Sequence, residues 1–149
     1  MPLKGPTLLV MPGADEISEA DRRRWEELAR SGNLDGMFNL GLALRDSDPA
    51  EAQRLWKTAA ASGHVLSMYS LGVVLADEDQ EAAISWYEQA AAHEYPPALF
   101  NLGLMLVDTD RVRTRALWKQ AARLGHSKSK KALVALRWPW KWPYSPRPS

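Results

Sequence analysis

A repeat with a 31-residue period runs through this chain without insertion or deletion, and this period constrains the fold more than any other feature. Successive units begin at equivalent positions, which are Gly32, Gly63, Glu94 and Gly125. Within three of them, residues 37–41, 68–72 and 99–103 read MFNLG, MYSLG and LFNLG. A fixed period in this range is typical of stacked supersecondary units, so the sequence predicts a helical repeat array.

Each unit keeps a glycine inside an apolar pattern of helical period, at Gly41, Gly72 and Gly103. Glycine in a helix costs about 1 kcal/mol relative to alanine, so its repeated presence indicates a packing reason. We expect a close approach of the neighbouring helix. Its Ala-Ala pairs would supply the matching small surface, and they lie at residues 59–60, 90–91 and 121–122. An aromatic residue also recurs at one position, namely Trp25, Trp56, Tyr87 and Trp118.

Local signals divide each unit into two helices separated by an acidic turn. In the first copy Asp48 suits an N-cap, Pro49 suits the first helical position, and Glu51 would complete a capping box. Gly63 then ends the second helix. Counted along the chain, these signals predict a lone helix at about 18–31, three pairs, and a last single helix at about 127–138.

The predicted fold class is all-α, a right-handed α-solenoid of antiparallel helix pairs with about eight helices. We expect an N-terminal extended segment at 1–17, the solenoid at 18–137 and a basic Trp/Pro-rich tail at 138–149. The first fifteen residues contain only a short apolar run, too short for a membrane span or a signal peptide, so the cytoplasm is the expected location.

Two strings carry a family resemblance: residues 98–103 read ALFNLG and residues 83–91 read AISWYEQAA. They resemble the Sel-one-like repeat, a relative of the tetratricopeptide repeat, and the resemblance extends over roughly residues 20–137. It implies an adaptor or scaffold that binds other proteins, and it does not imply an enzyme.

The resemblance also implies a binding groove. In tetratricopeptide arrays the first helix of each pair lines the concave face, and a polar residue before the Leu-Gly can bind a ligand's backbone or carboxylate. By that likeness the groove residues are Asn39, Ser70 and Asn101, with Arg45 and Lys131 as charged neighbours. The alternative is that these are ordinary polar positions between helices.

Charge is divided unevenly along the chain. All 18 acidic residues lie at or before Asp110, where only eight Lys and Arg occur, so this part carries −10. Residues 111–149 hold eleven Lys and Arg and no acid, and the total of +1 hides this asymmetry. The pattern predicts an acidic partner for the basic end.

The C-terminal end combines cations, aromatic rings and prolines. Its expected contact residues are Arg137, Trp138, Trp140, Lys141, Trp142 and Tyr144. Proline favours extended, polyproline-like backbone here. The sequence leaves four alternatives open: the tail folds back on the solenoid, docks into a partner protein, lies at a membrane interface, or stacks on single-stranded nucleic acid.

Carboxylates recur at the turn inside each unit and are expected to form an acidic rim, made of Asp46, Asp48, Asp77, Asp79, Asp108 and Asp110. The rim is either a docking edge for a basic partner or a set of helix caps with a solvated edge. A divalent-cation site is disfavoured because the carboxylates lack a compact loop with a fixed ligand series.

Signals for enzyme chemistry are missing from the sequence. The chain contains no cysteine, and its three histidines follow the repeat spacing or lie near a turn. We therefore predict no catalytic residue, no cofactor and no metal ion. The predicted function is a protein-interaction adaptor that uses its concave face, its tail or both. The alternative is a membrane- or nucleic-acid-associated protein in which the basic end provides the affinity.

Overall fold

The computed structural model describes residues 17–137, which form eight α-helices and contain no strand. The helices are α1 Glu19–Arg30, α2 Leu34–Leu44, α3 Pro49–Ala61, α4 Val65–Leu75, α5 Gln80–Ala92, α6 Pro96–Leu106, α7 Arg111–Arg123 and α8 Ser127–Arg137. The predicted all-α repeat fold is confirmed. The predicted lone first helix and single last helix match α1 and α8 to within a residue at each end.

The chain divides into two compact units, Met1–His64 and Val65–Ser149. In the first unit, α2 packs against both α1 and α3. In the second unit, each of the helices from α4 to α8 packs against the next one along the chain. Nearest-neighbour packing of this kind is the arrangement that a repeat array requires.

The acidic turns cap the second helix of each pair. Asp48, Asp79 and Asp110 accept a hydrogen bond from the backbone N–H three residues ahead, at 3.1, 3.0 and 2.9 Å. A cap of this type stabilises by about 1 kcal/mol. The expected capping box does not form, because the Glu51 carboxylate accepts both of its side-chain hydrogen bonds from Arg54, at 2.6 and 2.7 Å.

The residue that begins each repeat unit has a positive φ. The angles are 84° at Gly32, 86° at Gly63, 56° at Glu94 and 90° at Gly125. Among residues 17–137, Glu94 is the one non-glycine residue with positive φ. This position follows the end of a helix, where the left-handed conformation satisfies the last carbonyls. Glu94 therefore keeps the turn of its neighbours at a backbone cost that glycine does not have.

An aromatic ring of the second helix covers the glycine of the first helix in each pair. A Cβ at Gly41 or Gly103 would overlap the indole of Trp56 or Trp118, and a Cβ at Gly72 would lie 2.6 Å from the Tyr87 ring. The close approach expected from the sequence is present. The group that fills the space is the ring, however, and not the alanine pairs that the sequence suggested.

The two indoles also donate hydrogen bonds. Trp56 Nε1 donates to the Phe38 carbonyl at 3.1 Å, and Trp118 Nε1 donates to the Phe100 carbonyl at 3.0 Å. Both tryptophans are fully buried. Because the N–H is satisfied, the large ring can be buried without the penalty of an unpaired donor. The glycine and the ring thus form a close packing contact inside each helix pair, which we call the glycine–aromatic contact.

The last two helices are joined at the end where α8 finishes. Arg111, the first residue of α7, donates from Nη2 to the Leu136 carbonyl at 3.2 Å. Leu136 belongs to a buried cluster with Val107, Trp118 and Ala132. The C-terminus of α8 therefore lies beside the turn that precedes α7.

Candidate protein-binding surface

The first helices of the second unit are apolar but only partly covered. Neither α4 nor α6 contains a charged residue. On α4, Leu66 is 38% exposed and Val73 is 47% exposed, and Ser70 between them is half-buried. Residues at this spacing share one face of a helix. An uncharged helix face that keeps apolar side chains in contact with water is a candidate for partner binding.

The same face continues on α6, where each of these residues has an equivalent one repeat further along the chain. Pro97, Asn101 and Leu104 are all half-buried. We call the two rows together the α4–α6 surface, defined by Leu66, Ser70, Val73, Pro97, Asn101 and Leu104. Its centre is polar and its two ends are apolar.

Asn101 holds the two helices of this surface together. Its Nδ2 donates to the Tyr87 hydroxyl at 3.2 Å and to the Tyr69 hydroxyl at 3.4 Å. The Tyr69 ring also contacts the rings of Tyr87 and Tyr95, with centroids 5.9 and 5.3 Å apart. Burial raises the pKa of the Tyr87 and Tyr95 phenols, so both are neutral at physiological pH. Asn101 is thus a structural link as well as a surface residue.

The other predicted groove residues have different surroundings. Asn39 and Ser70 occupy the same position in α2 and α4 as Asn101 does in α6, and both are half-buried. Their side chains form no hydrogen bond with the rest of residues 17–137. Arg45 is exposed at the C-cap of α2 and lies 3.2 Å from Asp46. Lys131 is exposed on α8.

The structure therefore places Ser70 and Asn101 on one surface of the second unit, with Lys131 two helices further along the same unit. Asn39 and Arg45 belong to the first unit. On α8 the residue equivalent to Asn101 is Ala132, which is buried, so the polar position is not repeated there. Whether all five residues serve one groove stays a prediction.

The α4–α6 surface has an acidic border. Asp77 and Asp108 lie two residues beyond the ends of α4 and α6 and are exposed. Asp79 and Asp110 are the helix caps already described. Residues 65–110 contain eight carboxylates and no Lys or Arg, so no cation of this segment offsets them. Within residues 17–137, no group of three or more His, Asp or Glu side chains is arranged to hold a metal ion.

Basic residues dominate the next two helices. Residues 111–137 hold nine Lys and Arg and no acid. Arg113 forms an ion pair with Glu88, with 2.6 Å between Nη2 and Oε1. A separate cationic stripe on α7 consists of basic residues spaced four apart, which are Arg111, Arg115, Lys119 and Arg123. Arg137 ends α8 and is exposed. The remaining predicted tail contacts, Trp138, Trp140, Lys141, Trp142 and Tyr144, lie outside the described residues.

A series of ring contacts was not foreseen from the sequence. Phe38 contacts His64, Tyr69 contacts Tyr95, and Phe100 contacts His126, with ring centroids 5.3, 5.3 and 5.2 Å apart. The separation along the chain is the same in all three pairs. The repeat counterpart of the two histidines is therefore Tyr95, and His93 next to that turn is not part of the series. Comparison of the residues just before α4, α6 and α8 is the signal that could have revealed it.

The histidines of this series have packing partners. His64 Nε2 lies 3.2 Å from Asp35 Oδ1, and His126 Nδ1 lies 2.8 Å from Ser129 Oγ. Burial, with a smaller contribution from Lys128, lowers the pKa of His126 below its ordinary value of 6.5. These contacts give both histidines a place in the helix packing.

The first unit contains a cleft of about 410 Å³ between α1, α2 and α3. Its floor is apolar and includes Met37, Leu40 and Leu55. Its rim carries the Glu51–Arg54 ion pair, in which the hydrogen bonds from Arg54 lower the pKa of the Glu51 carboxyl. The polar groups of the rim are paired with each other, so the cleft presents no set of groups aimed at a ligand.

The helix pairs coincide with a known repeat. A model of the Sel1 repeat matches residues 34–64, 66–95 and 96–126, which contain α2 with α3, α4 with α5, and α6 with α7. The chain belongs to the Sel1 repeat family. The resemblance seen in the sequence is thereby confirmed. Sel1 repeat proteins generally bind other proteins, and the fold is typically a non-catalytic interaction module.

Two solved structures are similar to this Sel1 repeat chain. A Sel1 repeat protein from Oxalobacter formigenes is 29% identical, with a TM-score of 0.66 over 76% of this chain and 97% of that one. The protein c5321, a protective antigen of uropathogenic Escherichia coli strains with an SLR fold, is 24% identical, with a TM-score of 0.70 over 74% of this chain and 27% of that one. The second likeness shows the fold alone. No curated protein matches the chain.

Proposed function

We propose that this Sel1 repeat chain is a non-catalytic adaptor that binds another protein through the α4–α6 surface. One observation carries the proposal: α4 and α6 contain no charged residue, and α4 leaves Leu66 and Val73 exposed to water. Asn101 keeps the two rows in register through its bonds to Tyr87 and Tyr69, so the surface is pre-formed. A pre-formed surface lowers the ordering cost of binding.

The polar centre of the surface would supply orientation. Ser70 and Asn101 can each offer hydrogen-bonding groups to the backbone of a bound segment. The apolar side chains at both ends would bury area, which provides most of the affinity of a protein interface. The acidic border selects against an acidic ligand and favours a basic one.

The test is a nuclease-treated pull-down from the source cell's lysate, with the full chain and two matched valine variants. Val73→Asp places a charge on the α4–α6 surface, and Val112→Asp places the same charge on α7, where the valine is 84% exposed. We expect a defined protein to be retained by the wild type and by Val112→Asp, and to be lost with Val73→Asp. Retention by both variants would contradict the proposal.

A second candidate function has its own observation. Arg111, Arg115, Lys119 and Arg123 recur every fourth residue on α7, and this spacing aligns them on one side of the helix. Such a stripe suits the phosphates of nucleic acid or of an anionic membrane. Affinity based on phosphate would fall steeply with salt, and it would survive Val73→Asp. No helix in the described part of the chain is long and apolar enough to cross a membrane.

A further inference from the structure

The α4–α6 surface has a chemistry that narrows the class of its ligand. It offers exposed aliphatic side chains at Leu66 and Val73, and the exposed carboxylates of Asp77 and Asp108 stand at one end of it. The complementary ligand is an extended segment that combines apolar rings with cations. This deduction rests on the proposed function, because it assumes that the surface binds a peptide segment.

The chain itself contains a segment of this chemistry directly after α8. Residues 138–149 hold three tryptophans, one tyrosine, four prolines, one lysine and one arginine, and they hold no acidic residue. Proline-rich chain favours the polyproline II conformation, which has no internal hydrogen bonds and loses little entropy on binding. Its rings can cover aliphatic side chains while its cations meet carboxylates.

The starting point of this segment is close to the acidic border. The hydrogen bond from Arg111 to the Leu136 carbonyl places the end of α8 beside the start of α7. The turn before α7 contains Asp108 and Asp110, so the segment leaves the described residues next to these carboxylates.

Length also permits the contact. Twelve residues of polyproline II chain span about 37 Å, and packed helix axes lie about 8–10 Å apart. Both α6 and α4 are within that reach from the end of α8. A tether this short gives an effective concentration in the millimolar range, so even a weak contact would be occupied.

The exposed face of α8 is the competing position, and its charge disfavours it. Val134 on this face is 66% exposed. It is accompanied by Lys130, Lys131 and Arg137, all exposed, and these would repel a basic segment. The α4–α6 surface has no such cations.

We propose that residues 138–149 bind the α4–α6 surface of their own chain and occupy it until a partner displaces them. The tryptophan rings cover Val73 and Leu104, and the cations of the segment face Asp77 and Asp108. A partner must then compete with the tail, so the apparent affinity of the adaptor is set by the tail as well as by the surface.

The experiment uses the full chain carrying Ser145→Cys, which is the one cysteine because the natural chain has none. A nitroxide attached there weakens the NMR signals of nearby methyl groups. We expect the methyl signals of Val73 and Leu104 to lose most of their intensity. Those of Leu124, at the opposite end of α7 from the start of the tail, should keep it. If the Val134 signals weaken and the Val73 signals do not, the tail lies on α8 and the proposal is overturned. The absence of any signal loss would also overturn it.

A second pair of variants tests the charge contribution. Asp77→Asn with Asp108→Asn should restore a large part of the Val73 signal, since both residues are exposed and neither is a helix cap. Asp46→Asn, the equivalent substitution in the first unit, should restore none. Equal effects of the two changes would overturn the assignment of the carboxylates.

A mixed sample separates the chain's own tail from that of a second copy. Nitroxide-bearing chains without isotope label are mixed with labelled chains without nitroxide. Loss of the Val73 signal in this mixed sample would overturn binding within one chain. The pull-down distinguishes the two proposals. If Val73→Asp loses the partner but Val73 shows no nitroxide effect, the tail inference alone fails. If Val73 shows the effect but Val73→Asp keeps the partner, the proposed function fails and the surface serves the tail.

Discussion

Replacement of Glu94 by glycine should stabilise the second unit. Glu94 has φ of 56°, in the left-handed region that Gly32, Gly63 and Gly125 occupy at the equivalent turns. An L-residue there costs roughly 1–2 kcal/mol, and the extra freedom of glycine in the unfolded chain offsets about 0.5–1 kcal/mol of that. The expected net gain in the free energy of unfolding is about 1 kcal/mol. The backbone bond from Glu94 N–H to the Ala91 carbonyl, 2.9 Å, is kept.

Urea denaturation followed by circular dichroism measures this gain, and a melting temperature higher by roughly 4 °C should accompany it. Glu94→Gln is the control, because it removes the charge but keeps the side chain at positive φ. Gly125→Ala is the reciprocal test: a Cβ there meets nothing within 4 Å, so only the backbone conformation can lower the stability. If the Glu94→Gly chain is no more stable than the Glu94→Gln chain, the positive φ of Glu94 does not lower the stability of the protein.

Four further predictions follow from the buried contacts and the shifted pKa values. Gly103→Ala should lower the free energy of unfolding, measured in urea, by about 2–3 kcal/mol, because its Cβ would overlap the Trp118 indole. Thr114→Val should lower it by about 1 kcal/mol, because the 3.1 Å hydrogen bond from the Thr114 hydroxyl to the Gly103 carbonyl is lost. The lowered pKa of His126 gives stability that is complete above pH 6.5 and declines as the pH falls below it, and an NMR pH titration of the ring with denaturation at each pH checks this. The raised pKa of Tyr87 gives stability that is complete below pH 10 and declines as the pH rises beyond it, which phenolate absorbance follows.

The helices could be predicted from the sequence because their signals are local. The period, the N-cap at Asp48 and the glycine at Gly63 fix where each helix starts and stops, and α1 and α8 were located to within a residue at each end. The turn at Glu94 could be aligned with its neighbours by the period alone. Its positive φ could not be predicted from the sequence, because glutamate itself carries no signal for that conformation.

The side-chain contacts between helices could not be predicted in the same way. The period showed that Gly41 and Trp56 recur, but it did not show that the tryptophan ring lies over the backbone of the glycine. Within residues 17–137, the link from Asn101 to Tyr87 and Tyr69 occurs in a single repeat, so repetition gave no signal for it. Which side of α4 stays exposed depends on α5 and α6 together, and no single periodic pattern contains that information.

The glycine–aromatic contact affects how such a chain can lengthen. Gly41 with Trp56, Gly72 with Tyr87 and Gly103 with Trp118 each fall within a single repeat unit. Duplication of the gene segment that encodes one repeat therefore copies both the glycine and the aromatic residue at once. A duplicated repeat already contains residues that pack against each other, so its two helices need no compensating change. This explains how an array can grow by whole units while its spacing stays free of insertions and deletions.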